Sequence, residues 1–237
     1  GHGPSSDPEF FLRKTNADFV VRGEGEVTTS ELLRSLEDKE ITGSVKGIAF
    51  IEGQTFRMTP ERSLISDVDS IDQPAYEKFP MEYYKLIRFP RANNDEFVLP
   101  VLSARGCTFK CNFCYRMDKG YRARSPDSII DEVRFLHDRY HVSYIEFNDE
   151  LLMSSSQRIE ELCDAFLSMD VKFKWFCSGR LNYASSKNLG LMKRAGCVFI
   201  NYGIESLDDV VLKNMNKALN VKQITVGIEN TLKAGIS

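Results

Sequence analysis

From residue 97 onward the chain alternates short apolar runs with segments of helical period, and this alternation restricts the fold more than any other feature. Apolar runs predict strands over 97–102, 142–147, 173–177 and 198–202. Residues 126–140, 154–169, 185–195 and 221–234 place their apolar side chains at helical spacing. Pro126 sits near the start of the first of these helices, and Gly196 and Gly235 end the third and fourth. Strands that read as near-continuous apolar runs, each followed by a helix, imply an α/β fold with a parallel sheet covered by helices. In that layout the loops leaving the C-terminal ends of the strands gather on one rim, where sites are built.

The rim loops carry the chain's most suggestive residues. Cys107, Cys111 and Cys114 follow the first strand, and Asn148, Asp149 and Glu150 follow the second. Ser178, Gly179 and Arg180 follow the third, and Gly203, Ile204, Glu205 and Ser206 the fourth. Three thiolates so close in sequence can hold a metal cluster while leaving one metal corner without a protein ligand. A structural zinc site calls for four ligands, as does an electron-transfer iron-sulfur cluster, and no fourth cysteine lies nearby. Cys163, Cys177 and Cys197 stand alone in apolar stretches and read as small buried side chains. His137 and His141 are four residues apart near the end of one predicted helix, where a favourable dipole contact explains them without a metal.

Upstream, residues 18–22 read as a strand, Gly23 to Glu26 as a tight acidic turn, and a helix is expected under a Thr or Ser cap at 28–30. The alternation over 45–58 around Gly53 and Gln54 predicts a β-hairpin with a type II′ turn. Residues 60–95, with Pro60, Pro74, Pro80 and Pro90, read as a connecting segment. The chain opens on Gly1 and stops at Ser237 just after a helix-ending glycine, which suggests a fragment. A net charge of -3 argues against broad affinity for nucleic acid or membranes, and the local basic run of Lys110, Arg116, Lys119, Arg122 and Arg124 reads as a solvated loop. There is no apolar run long enough for a bilayer and no secretory signal pattern, and the cysteines do not form a disulfide framework. A cytoplasmic location is therefore expected.

The spacing Cys107-x-x-x-Cys111-x-x-Cys114, with Phe113 just before the last cysteine, resembles the signature of the radical S-adenosylmethionine (SAM) superfamily. The likeness extends through Ser103 to Gly106, Asp149-Glu150, Met192 to Cys197, Gly203 to Ser206 and Met215-Asn216-Lys217, which are similar to the branch that carries an N-terminal cobalamin-binding domain. Residues 1–5 and 18–26 resemble the last part of such a domain. On this resemblance, residues 1–40 are the C-terminal remnant of a Rossmann-like cobalamin-binding domain and 41–95 a linker with a hairpin. Residues 96–237 are then the first four strand-helix units of a partial β/α barrel, short of the family's fifth and sixth strands.

The resemblance implies a 4Fe-4S cluster on Cys107, Cys111 and Cys114, with the amino and carboxylate groups of SAM on the fourth iron. One-electron reduction of the sulfonium then yields a 5′-deoxyadenosyl radical, and the cofactors supply the hard chemistry. It further implies Phe113 against the adenine, Asp149 or Glu150 on the methionyl ammonium, Glu205 or Ser206 on the ribose, and Arg180 on the SAM carboxylate. Members of the family often have Gly-Gly-Glu where this chain has Asn148-Asp149-Glu150. The expected activity is cobalamin-assisted methyl transfer or a related radical modification of a small molecule, with cobalamin as a further cofactor and an electron donor such as flavodoxin or ferredoxin. The alternative is a non-catalytic zinc or iron-sulfur module that docks a partner.

Overall fold

The alternation beyond residue 97 folds as four parallel strands in the order β4 (Val98–Val101), β7 (Tyr144–Phe147), β8 (Lys174–Gly179) and β9 (Cys197–Tyr202). A computed structural model describes residues 2–38, 42–115 and 120–237. The chain divides into two compact units, Gly1–Asp67 and Val68–Ser237. In the second unit the helices that follow the parallel strands are started by side chains that cap their first free N–H groups. Ser125 caps α5 (Pro126–Tyr140), Ser155 caps α6 (Ser156–Ser168) and Ser185 caps α7 (Ser186–Arg194). Asn220 and Gln223 form a reciprocal capping box on α9 (Val221–Lys233).

The two faces of the sheet differ because side chains alternate along each strand. On one face Phe147 stacks on Phe166 of α6 with ring centroids 5.5 Å apart, and Trp175 meets both edge-on. The Trp175 indole N–H donates to the Ala195 carbonyl at 2.7 Å, so the buried ring leaves no polar atom unpaired. On the opposite face Tyr144, Phe176 and Phe199 form an aromatic row, covered by Phe89 at 5.1 Å from Phe176 and by the Arg91 guanidinium 3.8 Å above Phe199. Beyond β9, Ser237 N–H donates to Val198 O at 3.2 Å and Ile200 N–H to Ser237 O at 3.0 Å. This is the spacing of a parallel ladder.

The structure bears out the hairpin and corrects several other expectations. In the first unit, helices α1 (His2–Ser6) and α2 (Pro8–Thr15), the latter capped by Asp7, precede β1 (Phe19–Val21), where no helix was expected. Helix α3 (Glu26–Glu37) begins two residues before the expected cap region, because its N-cap, Gly25, contributes no side-chain bond that a sequence would display. β1, β2 (Ile48–Glu52) and β3 (Thr55–Met58) pair antiparallel, and Gly53 has φ 62 at the first turn position, as a type II′ turn requires. The connecting segment contains a short helix, α4 (Met81–Tyr84), with Tyr76 and Met81 buried in the core. His141 lies past the end of α5 as a left-handed C-cap with φ 59, so it does not share a helical face with His137. Arg124 is no solvated loop residue, since it pairs with buried Glu132, which also accepts from Tyr76 Oη at 2.6 Å. Arg116 and Lys119 lie outside the described residues.

Candidate metal centre at the strand rim

The cysteine loop grows out of a clamp on the backbone that leaves β4. Asp149, at the end of β7, accepts Ser103 N–H at 2.7 Å and Ala104 N–H at 3.0 Å on one carboxylate oxygen and the Ser103 hydroxyl on the other. Arg158 of α6 donates to Ser103 O at 3.1 Å from the same side. Burial raises the Asp149 carboxyl to about 6, against the pull of these hydrogen bonds and of Arg158. A two-stranded antiparallel ribbon, β5 (Ala104–Gly106) with β6 (Tyr121–Ala123), then brackets the loop. Gly106 takes φ 78 immediately before Cys107, a conformation that favours glycine.

The far side of the loop is stitched to residues 214–218, at and just beyond the end of α8 (Asp209–Asn214). Asn112 N–H donates to Met215 O at 3.0 Å and its side-chain amide to Asn214 O at 2.9 Å. Asn216 returns the contact, donating to Lys110 O at 2.7 Å. Asn216 and Ala218 have φ 52 and 53, which turn this strand of backbone toward the loop.

Two cations reach the rim from below. Arg180, 8% exposed, donates from Nη1 to Cys111 Sγ at 3.5 Å, from Nε to Asn182 Oδ1 at 3.2 Å and from Nη2 to Lys217 O. Its guanidinium lies 3.6 Å over the Phe109 ring. Lys217, 6% exposed, pairs with Glu205 at 3.0 Å and stands 5.4 Å from the Phe113 ring centroid. Glu205 has φ 65, and a Cβ on Gly203 would come within 2.8 Å of its Oε1. A side chain there would displace the flexible end of Glu205.

Most of the expected site residues meet at this rim. Cys111 is buried, Cys107 half-buried and Cys114 exposed, and all three are free thiols. The Cys114 thiol is pushed up by burial and then by its neighbours Cys111 and Cys107, with Lys217 opposing and Glu150 adding to the effect. The three sulfurs, Glu150 and Lys217 thus lie within one electrostatic neighbourhood. Asp149 sits beneath the rim with its carboxylate occupied by the backbone, whereas Glu150 is exposed beside it. Phe113 is exposed, and Ser206 accepts from Asp208 N–H at 3.1 Å. Cys163, Cys177 and Cys197 lie in the core on the helix side of the sheet. Sequence reasoning missed Arg158, Asn112 and Asn182, and it quoted Asn216 and Lys217 without a role. Polar residues scattered over loops carry no period that would mark them.

Among the described residues no group of three or more His, Cys, Asp or Glu converges on a single ion. A cubane cluster makes a different demand, because each thiolate takes a different iron and the donors bracket a cube. Three free thiols on one loop, with two buried cations beside them to offset an anionic cluster, fit that group.

Residues 101–237 match the sequence profile of the radical SAM superfamily. An uncharacterized methyltransferase of Pyrococcus horikoshii is 30% identical over 97% of this chain and 49% of its own length. The anaerobic magnesium-protoporphyrin IX monomethyl ester cyclase of Rubrivivax gelatinosus is 27% identical over 94% of this chain and 40% of its own. The chain thus spans about half or less of these relatives. Among solved structures, the radical SAM methyltransferase TsrM of Kitasatospora setae, with tryptophan and a SAM analogue bound, superposes with TM-score 0.77 at 15% identity, covering 99% of this chain and 47% of that one. The cobalamin-dependent SAM radical enzyme OxsB, with aqua-cobalamin and SAM bound, gives 0.75 at 19% identity, covering 99% and 34%. These likenesses show a shared fold.

Proposed function

Because the chain belongs to the radical SAM superfamily, we propose that Cys107, Cys111 and Cys114 hold a 4Fe-4S cluster and that the rim around them binds SAM for reductive cleavage. The observation that carries this reading is the double fastening of the cysteine loop, by Asp149 and Arg158 at its base and by residues 214–218 at its far side. A site held before its cofactor arrives loses little entropy on binding. Once bound, the reduced cluster would supply one electron to the SAM sulfonium and so release methionine and a 5′-deoxyadenosyl radical. The chain's own contribution is position and charge. Asp149 and Glu150 are the carboxylates for the methionyl ammonium, and Glu150 is the solvent-exposed one at the rim. Phe113 offers its exposed ring to the adenine, and Glu205 or Ser206 offers an acceptor to the ribose hydroxyls. For the SAM carboxylate the group offered is Lys217, because Arg180, the residue the resemblance implies, already points three of its nitrogens at protein partners.

The proposal extends to the whole protein as cobalamin-assisted methyl transfer to a small molecule, or a related radical modification. Residues 1–40 would be the remnant of a cobalamin-binding domain and 41–95 a linker. A cytoplasmic setting and a flavodoxin or ferredoxin as reductant belong to the same proposal. No helix among the described residues is long and apolar enough to cross a membrane.

Anaerobic reconstitution with iron and sulfide, followed by dithionite and SAM, tests the reading. Visible cluster absorption together with 5′-deoxyadenosine and methionine in the products is the expected result. A colourless protein with one zinc per chain would favour the docking module. The same assay on the longer parent protein controls for cleavage that needs residues beyond this chain.

A further inference from the structure

We infer that Arg180 is a positioning residue of the metal centre, one that sets the reduction potential of the cluster through Cys111. This rests on the cluster reading above and adds the role of a side chain that touches no substrate. The guanidinium is buried and fixed on every side. Phe109 lies under its plane, Asn182 holds Nε, and the Lys217 carbonyl takes Nη2. Asn182 is itself anchored to Ala218 O at 2.6 Å. What remains of the fork points Nη1 at Cys111 Sγ, 3.5 Å away. A planar, permanently charged donor held this way cannot turn to a mobile ligand without breaking several contacts.

The consequence for redox chemistry has a definite sign. A reduced cluster carries one more negative charge than the oxidised one. A buried cation and an N–H···S bond therefore stabilise the reduced form more, and raise the potential. Such second contacts on a ligand sulfur are among the few controls a protein has over an iron-sulfur centre. Lys217 stands nearby as a second cation, but its charge is shared with Glu205 and its contact is to the Phe113 ring. Arg180 is the side chain with a hydrogen bond to a ligand sulfur among the described residues outside the cysteine loop itself.

The test is an EPR-monitored redox titration of the anaerobically reconstituted chain as wild type, Arg180→Lys and Arg180→Gln. Arg180→Gln should keep its iron and titrate lower, with the ratio of reduced to oxidised cluster at a fixed potential changed about tenfold or more, or about 59 mV for a one-electron couple. Arg180→Lys, which keeps the charge without the planar fork, should fall between. An iron-loaded Arg180→Gln with the wild-type potential overturns the inference, and so does a loss of iron as complete as in Cys111→Ala, which would mark Arg180 as a strut of the loop. Should circular dichroism show Arg180→Gln unfolded, Asn182→Ala takes its place: it frees Nε, and a smaller shift of the same sign is expected, an unchanged potential refuting the idea. A wild-type chain that takes up no cluster at all defeats the proposed function itself, an outcome distinct from a loaded chain whose potential ignores Arg180.

Discussion

Cys111 and Cys163 are both buried free thiols, yet only the first faces a cation at the rim, while the second lies among apolar side chains of α6. Cys111→Ala should abolish iron retention after anaerobic desalting, and Cys163→Ala should leave it at the wild-type level. Equal losses would refute the ligand assignment. Asp149 gives a prediction in pH. Its carboxyl is raised from 3.8 to about 6 by burial, so folding favours the protonated form. The stability this contributes is full below pH ~4 and is lost as pH rises through about 6, a difference of roughly 3 kcal/mol. Asp149→Asn keeps an acceptor for the two backbone N–H groups and does not titrate. Urea unfolding from pH 4 to 7 should therefore show wild type losing stability relative to the variant, and parallel curves would contradict the assignment.

At the level of elements, the fit between β8 and its neighbours is tight enough to test. A Cβ on Gly179 would meet Met153 Sδ at 2.3 Å and Ile200 Cγ2 at 2.8 Å. Gly179→Ala should cost about 1–3 kcal/mol in chemical unfolding, as overpacked cores do. The stitched loop offers another test, since Asn112 and Asn216 bind it to residues 214–218 through two side-chain amides. The double variant Asn112→Ala/Asn216→Ala should lower stability by roughly 1–3 kcal/mol and make the 107–115 segment more sensitive to proteolysis. What the sequence displayed and what it concealed divide along physical lines at this scale. The parallel strands were legible because burial on two faces demands apolar runs, and α5, α7 and α9 because their apolar side chains recur at helical spacing, with Pro126 at one start and Gly196 and Gly235 past two ends. The β5–β6 ribbon stayed hidden because Ala-Arg-Gly and Tyr-Arg-Ala are too short and polar to alternate. Helix α8 stayed hidden because Val210 and Val211 are exposed and Leu212 alone is buried, leaving no apolar stripe to read.

For the molecule as a whole, the cysteine signature was readable because its spacing is local, whereas its surroundings are assembled from far apart in the chain. Arg180 reaches Cys111 across 69 positions, and Asn216 reaches Lys110 across 106. Contacts of that span leave no local trace, which is why the contact of Arg180 with Cys111 and the anchoring roles of Asn112 and Asn182 could not be read from the sequence. The account rests on three thiolates that hold a four-iron cube with one iron left for SAM. The direct measurement is EPR of the reduced, reconstituted chain recorded without and with SAM. A 4Fe-4S signal whose g-values shift when SAM is added, and which is absent from Cys107→Ala, Cys111→Ala and Cys114→Ala, is the predicted result. A signal indifferent to SAM, or one that survives loss of a cysteine, would contradict it.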